Sequence, residues 1–478
     1  MREKTRLQTV KDLIALERGP DELLLVNSFH MLPLYVKRGR AHIRRVLAAA
    51  SGGCTTGEME AAFPDDTALI GILREHRILV DISSQPDEPD SPDILAEKIA
   101  CRPKSTIKLY LLMGESCNLE CIYCLNGPKT YRKRHHEGMS TQTALLGISR
   151  CLAELAPGGT VEVGFFGGEP LLHWPAIKQV ISRCESELAP ANSDKKIRYH
   201  LTSNLTLTPH DLVEWVGRYN ISVVCGIDGP PEIHDRCRTY HGGGPSHARS
   251  AETIGRLVRA GVHPTLRATI TSANHDRLHD VAAHHTDLGA ASSLFIPVRP
   301  INSDSEFFPE EILPDPEKII TAALELFGES SSGKANLFPF NDFSADIRPG
   351  TRYVVACGAP YGATYVIRPN GDIYPCIYLV GRHQYRLGNV AGGFDRRPLA
   401  RMFTALHVDN REDCRKCAWR YACGGGCPVM HLARIEGRAR SPRIVEYSRG
   451  ITCDLSRAIL TDALWRLADH HADVACKE

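Results

Sequence analysis

The chain has 478 residues, length for two or three packed domains rather than one unit of ~150. Its 57 Lys and Arg stand against 56 Asp and Glu, and a formal net charge of +1 gives no field to gather a polyanion, so no nucleic-acid partner is expected. The opening MREKTRLQTVKDLIALERG has no apolar signal region, and runs such as ELLLV and VEVGFF fall far short of the ~20 residues that cross a bilayer. The expectation is a soluble cytoplasmic protein with no membrane partner, in which 17 cysteines point to metal or redox chemistry rather than disulfides.

Residues 1–100 read as a separate unit. LLLVNSFHMLPLYVKRG supplies strand-like pieces broken by Pro33, AHIRRVLAAAS carries helical spacing at Ile43, Val46 and Leu47, and GEMEAAF and DTALIGILREHRILV follow as helices. Three helices with a strand pair predict a winged-helix-like module. SSQPDEPDSPD at 83–93 has the composition of a linker.

From 104 to 310, strand candidates at 107–113, 161–166, 197–202, 222–227, 265–271 and 293–298 alternate with amphipathic helices such as TQTALLGISRCLAEL and HDLVEWVGRY. This alternation predicts an α/β fold of parallel βα units, a partial (β/α)6 TIM-like barrel with functional residues at the carboxyl ends of its strands. ESSSGKAN at 329–336 marks a further join, and a third region spans 350–478.

Just past the first barrel strand, SCNLECIYC sets Cys117, Cys121 and Cys124 in a C-x3-C-x2-C triplet. Three thiolates at close spacing can hold three irons of a 4Fe-4S cluster and leave the fourth open. A structural zinc knuckle is the plainer reading. With Tyr123 before the last cysteine, the run resembles the radical S-adenosylmethionine (SAM) enzymes. After the second strand, Gly167, Gly168, Glu169 and Pro170 would by themselves be a strand-to-helix turn. They resemble the GGEP segment of that superfamily, which implies that backbone groups and the Glu169 carboxylate bind the SAM ammonium. The resemblance likewise implies ribose and carboxylate contacts from Thr202, Ser203 and Asn204. Arg267, permanently charged and fork-shaped, suits the SAM carboxylate; its alternative is a salt bridge between barrel layers. GIDGPPEIHDRCRTYHGGG (226–244) places Asp228, His234, Asp235 and Arg238 in a loop resembling one of the peptide-modifying branch. Asp228, Asp235 and Arg238 are the catalytic candidates, to orient SAM or substrate or to move protons, against a plainer role in loop capping and ion pairing.

A second cysteine set runs Cys357, then Gly371 four residues ahead of Cys376, then Cys414, Cys417, Cys423, Cys427 and Cys453. Zinc would suit Cys414 to Cys427 alone. The whole pattern resembles the SPASM domain, an extension with two auxiliary 4Fe-4S clusters. That resemblance implies one cluster on Cys357, Cys376 and Cys427 and another on Cys414, Cys417, Cys423 and Cys453, three clusters in all with SAM. The first auxiliary cluster is then one cysteine short. The other seven cysteines (Cys54, Cys101, Cys151, Cys184, Cys225, Cys237, Cys476) are scattered and read as small core or surface residues.

Anaerobic sulfatase maturases share this domain order but resemble one another in an Asp directly after the cysteine of GX4C, where this chain has Ile377. That departure turns the expectation away from formylglycine formation. The amino-terminal module resembles leader-peptide recognition elements, which add a substrate strand to a sheet edge. Size and the VNSFHMLPLYVKRG opening resemble the maturases of quinohemoprotein amine dehydrogenase, which implies thioether crosslinks between Cys sulfur and Asp or Glu methylene carbons of a polypeptide substrate, a small subunit or precursor peptide. An electron donor such as flavodoxin or ferredoxin is implied too. The alternatives are another SPASM peptide maturase (carbon–carbon crosslinks or formylglycine), a radical SAM enzyme acting on a small metabolite, and a zinc-binding interaction protein.

Overall fold

The structure, a computed structural model, describes residues 6–81, 91–125, 138–300, 310–329, 335–337, 352–435 and 441–475. The amino-terminal region holds β1 (Arg6–Thr9), β2 (Leu13–Arg18), β3 (Glu22–Asn27), β4 (Leu32–Val36), β5 (Cys54–Thr55) and β6 (Leu79–Asp81). Helices Arg40–Ala50, Thr56–Ala62 and Thr67–Glu75 lie between β4 and β6, as the periodicity predicts. In place of one strand pair there are two antiparallel sheets, ordered β5-β1-β6 and β2-β3-β4. The run ELLLV explains the second, because β3 is buried on both faces and therefore reads as continuous rather than alternating. Leu23 and Leu25 face a core with Leu7, Val46 and Leu73. Leu24 and Val26 join a different core, shared with Tyr421, Val429 and Leu460 of the carboxyl-terminal region.

The amino-terminal region thus packs directly on the carboxyl-terminal region. Asp12 pairs with Arg420, Arg18 binds Asp469 at 2.6 Å, and Phe29 meets Tyr421 edge to face at 4.9 Å. Most of the expected linker lies outside the described residues. Its last residues begin a helix instead, Pro92–Cys101, with the Ser91 hydroxyl accepting from the Ile94 amide and the helix packed on Arg397–Leu406.

The central sheet carries β7 (Lys104–Leu112), β8 (Leu155–Phe166), β9 (Lys196–Ser203), β10 (Ser222–Gly226), β11 (Thr265–Ile270), β12 (Ser292–Pro297) and β13 (Ala335–Leu337), all parallel and in sequence order. The first six coincide with the predicted strands, and β8 starts earlier because Leu155 pairs with Lys104 across a register shift. Beyond the six, β13 extends one edge. On the other edge, β14 (Thr364–Ile367) pairs parallel with β7, followed by antiparallel β15 (Asp372–Tyr374) and β16 (Gly388–Asn389). The third region is thus hydrogen-bonded into the central sheet beside β7, and Cys376 follows two residues past β15.

Helix Leu455–Ala475 closes the chain's described part. Among the described residues no helix is long and apolar enough to cross a membrane. Cys151, Cys184, Cys225 and Cys237 are buried, whereas Cys54 is half-buried and Cys101 exposed. Cys476 lies outside the described residues.

Candidate active site

One cavity occupies the carboxyl-terminal rim of the sheet. Cys117, Cys121, Tyr123 and Cys124 form one wall, and Gly167, Gly168, Thr202, Ser203 and Asn204 another. Arg238, Arg267 and Arg299 also reach it, as do Ile377 and Tyr378 directly after Cys376. Each barrel strand from β7 to β12 delivers its following residues to this rim, the rule for parallel βα architectures.

The cysteine loop is tied to the GGEP segment by backbone. The Gly168 amide donates to the Gly114 carbonyl at 3.0 Å and the Glu169 amide to the Ser116 carbonyl at 2.9 Å. Gly167 has φ 141°, and a Cβ there would stand 2.4 Å from the Gly114 carbonyl oxygen, so only glycine permits this approach. A second clamp is made of amides and a hydroxyl. Asn204 Nδ2 donates to Asn118 Oδ1 at 2.9 Å, and Asn118 Nδ2 donates to the Thr206 hydroxyl at 2.7 Å. Asn118 lies between two of the cysteines, so this network fixes the loop that presents their thiols.

Glu169 does not line the cavity. Its carboxylate is 1% exposed and accepts from the Leu171 amide at 2.9 Å, the Ser203 hydroxyl at 2.8 Å and the Asn204 amide at 2.8 Å. Burial raises its pKa to about 7, against the pull of those three donors. Ser203 Oγ is equally committed, accepting from the Leu205 amide at 2.9 Å. The side chains of Glu169 and Ser203 therefore brace the wall, while the glycine backbone and Thr202 face the cavity.

Of the loop candidates, Asp228 is fully buried beneath the cavity. Its Oδ2 accepts from the Tyr123 hydroxyl and from Arg238 Nε at 3.1 Å, and its Oδ1 from the Thr269 amide at 2.9 Å. Arg238 lies 5.5 Å from the Tyr123 ring centroid, in a space Gly226 leaves open, since a Cβ there would meet the guanidinium at 2.3 Å. His234 Nδ1 accepts from the Asp228 amide at 3.3 Å, and its Nε2 donates to Ser246 Oγ, whose own proton goes to the Arg238 carbonyl. Burial holds that imidazole well below its usual pKa and so neutral. Asp235 stands apart from the cavity: its carboxylate caps helix His247–Arg259 through the amides of Ser246 and His247, both at 2.8 Å. The structure thus gives Asp235 the capping role.

Arg267, on β11, lines the cavity. Burial pushes the Cys117 thiol up to about 12 and Cys121 higher still. Thiolates on such a wall require a strongly cationic group to discharge them, which fits an iron cluster bound by these three residues. No three His, Cys, Asp or Glu among the described residues converge at single-ion spacing. The other seven cysteines fall into two neighbourhoods. Cys357, Cys376 and Cys427 lie within electrostatic reach of one another, as do Cys414, Cys417, Cys423 and Cys453. Burial raises Cys357 to about 11, Cys376 to about 12 and Cys414 to about 11, the same requirement for a cationic partner.

Arg299 escapes sequence reasoning because no motif surrounds it. It follows β12 directly and stacks over Tyr378 at 4.7 Å, beside Cys376 and Cys427. Its place at a barrel strand's carboxyl end was the available signal.

Residues 111–283 match the family model of the Radical SAM superfamily. The chain is 24% identical over 363 residues to a serine-type anaerobic sulfatase-maturating enzyme of Bacteroides thetaiotaomicron, covering 68% of this chain and 84% of that protein. Among solved structures, native anSMEcpe with bound AdoMet superimposes with TM-score 0.61 and 19% identity over 76% of this chain and 98% of its own. Streptococcus suis SuiB bound to the precursor peptide SuiA gives TM-score 0.53 and 15% identity over 91% and 98%.

Proposed function

We propose that this chain, a radical SAM enzyme, modifies a partner polypeptide by joining a Cys sulfur to a side-chain methylene carbon of Asp or Glu. The relatives named as sulfatase-maturating enzymes and the fold shared with a peptide-bound SuiB support a polypeptide substrate. One observation carries the reading furthest: a single cavity is walled by the Cys117–Cys124 loop on one side and by Ile377 and Tyr378, next to Cys376, on the other. A substrate there lies against the first cysteine set and against the residues that follow Cys376.

Cys117, Cys121 and Cys124 would hold the SAM-binding cluster, Cys357, Cys376 and Cys427 the first auxiliary cluster, and Cys414, Cys417, Cys423 and Cys453 the second. When bound, these groups would supply the one-electron chemistry for reductive cleavage of SAM and would take up the electron left over after crosslinking. The protein supplies placement. Arg267 receives the SAM carboxylate in a fork, and the backbone of Gly167 and Gly168 together with Thr202 faces the remaining polar groups. Tyr123 is locked through Asp228 and Arg238, so the loop cannot swing as substrate enters. Apolar residues such as Phe166, Ile296 and Val380 keep water from the reacting carbon. As the C–S bond forms, the peptide gives up one hydrogen atom from carbon, one proton from sulfur and one electron.

Formylglycine formation is the second reading, on the named relatives. Against it, Ile377 packs with Leu112, Val366 and Tyr374, so the residue after Cys376 offers no carboxylate to take a proton. The amino-terminal region is assigned to substrate capture, with β6, at the end of the sheet β5-β1-β6, as the strand acceptor. Co-expression with small proteins encoded beside this gene, followed by mass spectrometry, tests the proposal. A loss of two hydrogens per crosslink in one of them is the expected result, and unmodified or aldehyde-bearing products would refute it.

A further inference from the structure

Three arginines enter the cavity, and their surroundings differ. Arg238 is neutralised by Asp228 at 3.1 Å. Arg267 lies on β11, on the side of the SAM-binding wall. Arg299 is on the opposite wall, stacked on Tyr378 and adjacent to Cys376 and Cys427. The residues around the second auxiliary set contain a cation as well, since Arg457 Nη2 contacts Cys417 Sγ at 3.6 Å. Arg457, however, is 45% exposed at its side chain and lies 3.6 Å from Asp454, so solvent and a carboxylate oppose its field. A unit charge acts about fourfold more strongly at an effective dielectric of ~20 than in water. Arg299, which lines the enclosed cavity, is shielded less by solvent than Arg457.

We infer that Arg299 is a positioning residue for electron transfer: its charge raises the reduction potential of the cluster on Cys357, Cys376 and Cys427, so that the electron released by crosslinking enters at the cavity wall. This rests on the proposed assignment of that cluster. Net charge and hydrogen bonding around the sulfurs are established levers on such potentials. A guanidinium that lines the cavity within electrostatic reach of these cysteines stabilises the added negative charge of the reduced form. It does so without joining the bond-making step.

The test is an anaerobic redox titration of the full chain with its clusters reconstituted, followed by electron paramagnetic resonance. Arg299→Gln should lower the potential of the first auxiliary cluster by a tenfold change in its reduction equilibrium, ~59 mV for one electron, with the other two signals in place. Arg299→Lys should keep the wild-type value, and Arg457→Gln should leave the first cluster unmoved. An unshifted potential in Arg299→Gln, or a Lys variant shifted as far, would overturn the inference. Arg299→Met is the second neutral variant. Loss of iron from both neutral variants with retention in Lys would overturn tuning in favour of a purely structural need. Failure of the underlying assignment looks different: all three signals would then survive replacement of Cys357, Cys376 and Cys427 by Ala.

Discussion

The Glu169 carboxylate accepts a hydrogen bond from the Asn204 backbone amide at 2.8 Å, joining the turn after β8 to the turn after β9 behind the cavity wall. That side chain holds two rim segments together. Glu169→Gln sets an amide donor against one of the three donors now satisfied, at a cost of about 1–3 kcal/mol. A lower thermal midpoint and weaker SAM binding, measured by calorimetry on the same sample, are expected. Unchanged stability would show that the brace contributes nothing.

Replacing Cys117, Cys121 and Cys124 together with Ala should remove about four of ~12 irons and abolish reductive SAM cleavage while leaving both auxiliary clusters. Iron analysis and quantification of 5'-deoxyadenosine check this. Retained cleavage would contradict the assignment of the triplet.

Among the described residues β6 pairs only with β1, with Val80 opposite Gln8. Val80→Lys, which puts a charge on this edge strand, should weaken binding of the partner peptide and leave SAM cleavage without peptide intact. Deleting the whole region is a poorer test, since it strips Leu24 and Val26 from a core shared with Tyr421 and leaves Arg420 without Asp12. Equal loss of both activities in the point variant would assign the edge a structural role.

His285 is fully buried, its Nε2 donating to the Ile227 carbonyl at 2.8 Å and its Nδ1 accepting from Ser293 Oγ at 3.0 Å. Burial lowers its pKa to about 4, despite the Ile227 carbonyl. The folded state thus resists protonation that the unfolded state accepts near 6.5. This contribution is complete above ~6.5 and is lost as pH falls toward ~4, worth about 3 kcal/mol. Denaturant unfolding across that window should show a shallower pH dependence in His285→Gln, and an identical slope would refute the assignment.

The six barrel strands were legible because apolar runs bounded by turns set parallel strands directly, and the cysteine spacings were legible because ligand sets recur as spacings. What stayed hidden depends on direction in space. A sequence shows Glu169 after two glycines but not that three donors wait behind the wall. ELLLV shows a buried strand but not that its two faces belong to different cores. The pairing of β14 with β7, which brings Ile377 and Tyr378 to the cavity, joins residues more than two hundred positions apart and leaves no local mark.

The most direct test is one anaerobic reaction of the reconstituted chain with SAM, a reductant and the candidate partner peptide, in which 5'-deoxyadenosine and peptide mass are read together. The account predicts one 5'-deoxyadenosine for each loss of about 2 Da, with the modified Cys resistant to alkylation after reduction because a C–S bond is not opened by thiol exchange. Formylglycine from Cys, a loss of about 18 Da with a hydrazide-reactive aldehyde and freely alkylated remaining thiols, would contradict it, as would 5'-deoxyadenosine formed with no change in peptide mass.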